Sequence, residues 1–219
     1  MANNILDEIK GAIIDLDGTI LDSAWVWDKV DEEFLGARGF DVPENYVETI
    51  SPMGAKKAAI YTKEEFGLDD ENIEDIMAEW FEMAKHEYRD DVSCKPFAKE
   101  YIKKLYENNI RIAVATSSDR VLFMPTLERE GLIGYIDEIV TVDEVPRGKG
   151  FPDIYLEAAR RIGVAPTECV VFEDILLGAS AAKEGGFFVV GVKDEKSLHN
   201  RENIERISDL YIESFEDIL

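Results

Sequence analysis

The apolar positions of this chain follow two rhythms. Runs rich in apolar residues at 12–14, 110–116, 136–142, 169–172 and 187–192 have the pattern of strands in a buried parallel sheet, the second and third interrupted by Arg111 and by Asp137-Glu138. Between the first run and the second, from about residue 23 to residue 91, apolar residues recur instead at helical spacing, as in Val26, Val30 and Phe34 and again in Ile73, Ile76, Met77, Trp80 and Met83. Breaks at 36–43, 51–54 and 67–72 divide that segment into three or four helices. Further helices are predicted from Pro96 (Phe97, Tyr101, Ile102, Leu105), over 120–131, from Pro152 with proline in the first turn, and through Ala181-Ala182-Lys183. Strands that alternate with helices imply an α/β fold, a doubly wound, Rossmann-like parallel sheet. The expected organisation is a discontinuous core, 1–22 with 92–219, interrupted after its first strand by a helical cap, 23–91. Such an insert can close over a site at the strand end, exclude water and supply specificity.

The first strand breaks at Asp15-Leu16-Asp17-Gly18, so two carboxylates stand where open α/β sheets bind ligands. Their i, i+2 spacing on extended backbone points both the same way, and the glycine turn can aim a carbonyl at a cation. An isolated pair of this kind serves equally well as a strand-end turn that bonds nearby amides. A calcium loop fits poorly, because the glycine comes too early and a distal glutamate is missing. With only His86 and His199, in no paired spacing, a histidine zinc site is not expected.

Charge narrows the partners. The 219 residues carry 24 Lys+Arg against 47 Asp+Glu, a formal net charge of -23, which repels nucleic acid and anionic membranes. Cys94 and Cys169 form no disulfide framework, the start of the chain lacks the pattern of a signal peptide, and no apolar run reaches membrane-spanning length. A cytoplasmic, reducing setting is therefore expected, with the protein a monomer or weak dimer.

Four clusters carry a more specific likeness: Asp15-Leu16-Asp17-Gly18-Thr19-Ile20-Leu21-Asp22-Ser23, Ala115-Thr116-Ser117-Ser118, Gly148-Lys149-Gly150-Phe151-Pro152-Asp153-Ile154-Tyr155, and Val171-Phe172-Glu173-Asp174 followed by Gly178 and Ala181-Ala182. In this order they resemble the haloacid dehalogenase-like superfamily of phosphotransferases over essentially the whole chain. The likeness is greatest to the β-phosphoglucomutase-like and phosphoglycolate-phosphatase-like members with a small helical cap. The resemblance implies that Asp15 is the nucleophile that forms an aspartyl phosphate and also binds metal. It implies that Asp17 is the general acid and base, with its backbone carbonyl on the metal. Asp174 would be a metal ligand and Glu173 a ligand through water or a supporting partner, with Mg²⁺ the cation that such oxygen donors favour. Thr116 and the Ser117 amide would hold the phosphoryl oxygens, and Lys149 would offset the clustered charge.

Dehalogenases and phosphonoacetaldehyde hydrolases of the superfamily lack an acid at the position of Asp17, so its presence implies phosphate-ester chemistry. Trp27 stands where the mutases carry a cap histidine, and Ser51-Pro52-Met53-Gly54-Ala55 offers no counterpart of their cap arginine. Both departures favour hydrolysis of a small phosphorylated metabolite over a sugar-phosphate mutase; a non-catalytic binding protein on the same fold is the remaining alternative. Trp25, Trp27 and Met53 either line the substrate side of the cap or pack within it and its seam. Trp80 is read as cap core.

Overall fold

The computed structural model describes residues 9–50, 53 and 55–219, the side chain of Glu48 excepted. The extreme N-terminus and most of the predicted 51–54 break lie outside the described residues. The strands are β1 (Gly11–Ile14), β2 (Leu21–Asp22), β3 (Ser93–Cys94), β4 (Arg111–Thr116), β5 (Glu138–Thr141), β6 (Cys169–Glu173), β7 (Phe188–Val192) and β8 (Leu210–Ile212). The helices are α1 (Val26–Ala37), α2 (Tyr46–Ile50), α3 (Ala55–Glu65), α4 (Ile73–Asp90), α5 (Ala98–Glu107), α6 (Arg120–Arg129), α7 (Asp153–Ile162), α8 (Leu176–Glu184) and α9 (Arg201–Ile207).

Six strands form one all-parallel sheet in the order β5-β4-β1-β6-β7-β8. β1 lies near its middle, hydrogen-bonded on both sides, which is why all four of its residues are buried. Each predicted run becomes a strand. β2, β3, β8 and α9 are elements that the apolar pattern did not reveal.

Alternation along the strands fixes which side chains meet. On one face of the sheet Ile13, Ala113, Ala115, Cys169 and Val171 form a single core with Ile154, Tyr155, Ala158, Ala159 and Ile162 of α7 and Ala179, Ala181 and Ala182 of α8. Odd-numbered residues of β1 and β6 therefore face α7. Carried forward by two residues, the same parity directs Asp15 and Glu173 to that face. The register Ile13↔Val171 and Ile14↔Phe172 brings these two acids side by side, and the Asp15 N–H still donates to Phe172 O at 3.1 Å. Across the sheet, Tyr101, Phe172 and Phe215 pack as a trio with ring centroids 5.5, 5.6 and 5.9 Å apart.

The chain divides into two compact units, one holding the described residues through Ala24 with Val92–Leu219, the other Trp25–Asp91. Within the second, the predicted stripe is the core: Val26, Val30 and Phe34 of α1 are buried, as are Ile76, Trp80 and Ala84 of α4. Trp80 meets Phe34 edge to face, centroids 5.4 Å apart at 74°. In the first unit the chain leaving for the insert and the chain returning from it pair as a two-rung antiparallel ladder, Leu21↔Cys94 and Asp22↔Ser93.

Two positions give direct tests of this packing. The Tyr101 hydroxyl is buried without a hydrogen-bond partner among the described residues, and burying such a group costs about 1 kcal/mol or more. Tyr101→Phe is expected to raise unfolding stability by about 1 kcal/mol in urea titration; a loss would show that the hydroxyl is satisfied. Gly18 closes the turn after β1 at φ +77, and a Cβ there would collide with the Asp174 carboxylate. Gly18→Ala is expected to cost at least about 1 kcal/mol from backbone strain alone; an unchanged urea midpoint would refute that reading of the turn.

Candidate active site

The centre of the site is a buried lysine between two buried acids. Lys149, on the loop before α7, is 9 % exposed, and its Nζ pairs with Asp15 Oδ1 and, at 2.6 Å, with Glu173 Oε1. Thr19, fully buried in the turn after β1, donates its hydroxyl to Asp174 Oδ1 at 2.9 Å and lies 3.4 Å from Asp15 Oδ2. Asp17 is half-buried and accepts two hydroxyls, Ser23 Oγ at 2.7 Å and Ser118 Oγ on its other oxygen. Thr116, at the buried end of β4, accepts the Ser118 N–H at 3.1 Å, which sets the turn that brings Ser118 to Asp17.

Asp15, Glu173 and Asp174 each offer an oxygen within 4.8 Å of the others. Asp194, also buried, touches the same turn: its Cγ lies 3.2 Å from the place where a Gly18 Cβ would be. It is paired with Lys95 at 2.8 Å, whose side chain is 14 % exposed. Four buried carboxylates thus share two lysines, and if all four are ionised the group is short by two positive charges, the charge of one divalent cation.

The titration of the groups reflects their burial first and the clustered charge second. Burial pushes the Asp15 carboxyl well above the ordinary aspartate range, Lys149 opposing the shift and Glu173, Asp174 and Asp17 adding to it. Asp174 is pushed up to about 7, first by burial and then by the charge of Glu173, while Lys149 and the Thr19 bond pull the other way. Burial alone would lower Lys149, but Asp15 and Glu173 together hold it above the usual lysine range, so it stays protonated. An all-oxygen donor set with excess negative charge fits a hard divalent cation.

Of the residues singled out in the sequence, Asp15, Asp17, Thr116, Lys149, Glu173 and Asp174 gather at the C-terminal ends of β1, β4 and β6. Ser117 lies at the same end of β4 with an exposed side chain. Trp25, Trp27 and Met53 belong to the helical unit. Trp25 is half-buried with Lys29 Nζ 5.7 Å from its ring centre, Trp27 is 48 % exposed and so outside the core of that unit, and Met53 is half-buried. Sequence reasoning missed Thr19, Ser23 and Ser118 as partners of the acids, and Tyr155, whose hydroxyl donates to Glu173 Oε1 at 2.6 Å. The signal for all four was their place in the quoted motifs, with Tyr155 also on the buried face of a helix.

Comparison with known proteins identifies the family. Residues 12–192 match the family described as haloacid dehalogenase-like hydrolase. A fructose-1-phosphate phosphatase of Escherichia coli K12 is 33 % identical over 189 residues, 85 % of this chain and 98 % of the relative. A phosphorylated carbohydrates phosphatase of Thermotoga maritima is 26 % identical over 178 residues, 81 % of this chain and 82 % of the relative. The crystal structure of a candidate beta-phosphoglucomutase, also from Thermotoga maritima, superposes with a TM-score of 0.80 at 25 % identity, covering 95 % of this chain and 96 % of that one. With a family match that spans most of its length, on a parallel sheet whose strand ends converge on one acidic centre, the chain belongs to the haloacid dehalogenase-like hydrolases.

Proposed function

We propose that this protein is a Mg²⁺-dependent phosphomonoester hydrolase that cleaves a small phosphorylated metabolite, a sugar phosphate in the first instance, through an aspartyl phosphate on Asp15. The observation that carries this reading is the buried Lys149 bridging Asp15 and Glu173, with Asp174 within ligand distance of both. The names of the E. coli and Thermotoga phosphatases support the substrate class.

In this reading Asp15 attacks phosphorus as the bond to the leaving oxygen breaks, and Asp17, protonated, gives that oxygen its proton. Asp17 then takes a proton from water, whose oxygen displaces Asp15 from phosphorus and releases inorganic phosphate. Splitting the displacement in this way replaces one difficult step by two easier ones. Ser23 and Ser118 hold the Asp17 carboxylate in place, and one of these hydroxyls must yield to the substrate oxygen. Thr116 and the Ser117 amide serve the phosphoryl oxygens, and Lys149 offsets the charge that builds on them. Asp15, Asp174 and the Asp17 carbonyl would hold Mg²⁺, with Glu173 behind them. When bound, the cation supplies the positive charge that the cluster lacks and that a phosphoryl group requires.

The helical unit acts as the cap in this proposal and selects the leaving group, with Trp27, Trp25 and Met53 as its candidate contacts. Both cysteines are free thiols, which suits a reducing, cytoplasmic setting.

Phosphate release from an aryl phosphate and a panel of sugar phosphates should require Mg²⁺ and stop on chelation. Asp15→Asn is expected to abolish it, and Lys149→Met to lower kcat by about 100-fold or more. Release that survives Asp15→Asn would overturn the mechanism. The name of the Thermotoga structure favours a second reading, a mutase; interconversion of glucose 1-phosphate and glucose 6-phosphate faster than phosphate release would select it. Independently of turnover, a cation held only by the folded site raises stability in proportion to the logarithm of its concentration. Mg²⁺ should therefore raise Tm in the wild-type protein and fail to do so in Asp174→Asn; equal shifts in both would place the cation elsewhere.

A further inference from the structure

The Tyr155 hydroxyl has no part in the steps above, yet it is fully buried against them. Tyr155 lies in the first turn of α7, with its ring packed near Phe187, centroids 6.3 Å apart at 64°. Its hydroxyl donates to Glu173 Oε1 at 2.6 Å, and the same oxygen receives Lys149 Nζ at 2.6 Å. The other oxygen, Oε2, accepts only a long bond from the Ile175 N–H, 3.4 Å, among the bonds described for it. α8 is shaped around this pair: a Cβ on Gly178 would lie 2.5 Å from Glu173 Oε1 and 2.7 Å from the Tyr155 hydroxyl oxygen.

A carboxylate can only accept hydrogen bonds, and two donors on one oxygen fix its orientation. Glu173 is close enough to Asp15 and Asp174 to join them on a cation. Tyr155 supplies a second donor to the same oxygen that Lys149 holds. We propose that Tyr155 is a positioning residue: with Lys149 it anchors Oε1 of Glu173, so that Glu173 serves as the counter-charge of Lys149 and leaves Asp15 and Asp174 to hold the cation. The proposal rests on the Mg²⁺ phosphatase reading and deepens it.

Tyr155→Phe keeps the ring and its packing and removes one donor. Glu173 then carries less compensated charge and is freer to turn toward the cation, while Lys149 loses part of its fixed orientation. Mg²⁺ binding by titration calorimetry, which needs no turnover, is expected to tighten about fivefold, and kcat to fall about tenfold with KM within about twofold. A residue that only fills space would lower Tm and leave both constants where they were. Tyr101→Phe, which removes a buried hydroxyl that bonds no carboxylate, is the control and should move neither.

Because Tyr155 is argued to act through Glu173, the Mg²⁺ effect of Tyr155→Phe should vanish in a Glu173→Gln background, as double-mutant coupling requires. Additive effects in that cycle, or a wild-type Mg²⁺ affinity in Tyr155→Phe, overturn the proposal. If Tyr155→Phe does not fold, the single variants decide. Glu173→Gln should weaken Mg²⁺ binding less than about tenfold, against at least about 100-fold for Asp174→Asn, and equal losses overturn the proposal. The outcomes remain distinguishable. Mg²⁺ binding without phosphate release by the wild-type protein removes the phosphatase reading alone, whereas no Mg²⁺ binding at all removes both.

Discussion

Negative charge held out of water is the constraint on which this structure turns. Three carboxylates, Asp15, Glu173 and Asp174, are buried around the end of β1 with one lysine among them. Taking ionised groups out of water is costly unless they are paired and hydrogen-bonded. The surroundings are built accordingly: Lys149 bridges two of the acids, Thr19 lies between Asp15 and Asp174, and Gly18 leaves room where a side chain would strike Asp174. Burial first, and then the charge of the neighbouring acids, raises the titration of Asp15 and Asp174. That cluster is the feature on which the proposed cation and phosphoryl sites rest.

The sheet was legible in the sequence because burial on both faces leaves an unbroken apolar run, as in Ala12-Ile13-Ile14 and Cys169-Val170-Val171-Phe172. The helical unit was legible for the complementary reason, a stripe at helical spacing that includes Val26, Val30, Phe34 and Trp80. β8 escaped because an edge strand of three residues, with Leu210 exposed and Tyr211 half-buried, is too short to show a period. β2 and β3 are shorter still, two residues each. Their pairing joins residues about 70 positions apart, which no local pattern can announce.

The candidate site was legible to the extent that chemistry marks it. Carboxylates, a lysine and a threonine at strand ends stand out against apolar runs. The residues that orient them do not. Ser118 and Ser23 read as ordinary turn hydroxyls until the fold brings both to Asp17. Tyr155 reads as core, and its ring is core; only the sheet register, which sets Glu173 on the α7 face, gives its hydroxyl a partner. Which oxygen of a carboxylate is engaged is a tertiary fact. The division of labour among acids of the same type depends on it.

The ladder between β2 and β3 bears on how the molecule could have been assembled over evolutionary time. Asp22 and Ser93 sit opposite one another on adjacent strands, so the two ends of the intervening stretch nearly coincide, about 5 Å apart as antiparallel partners are. For the sheet-bearing unit, whatever is spliced between those rungs counts as a surface loop, and the entropic penalty of a loop grows only with the logarithm of its length. A short turn, four helices or an unrelated module could be exchanged at this junction with little consequence for the strand order beneath. The inserted unit is thereby free to diversify by replacement of a whole module, while the buried acids stay fixed on a scaffold that need not change with it.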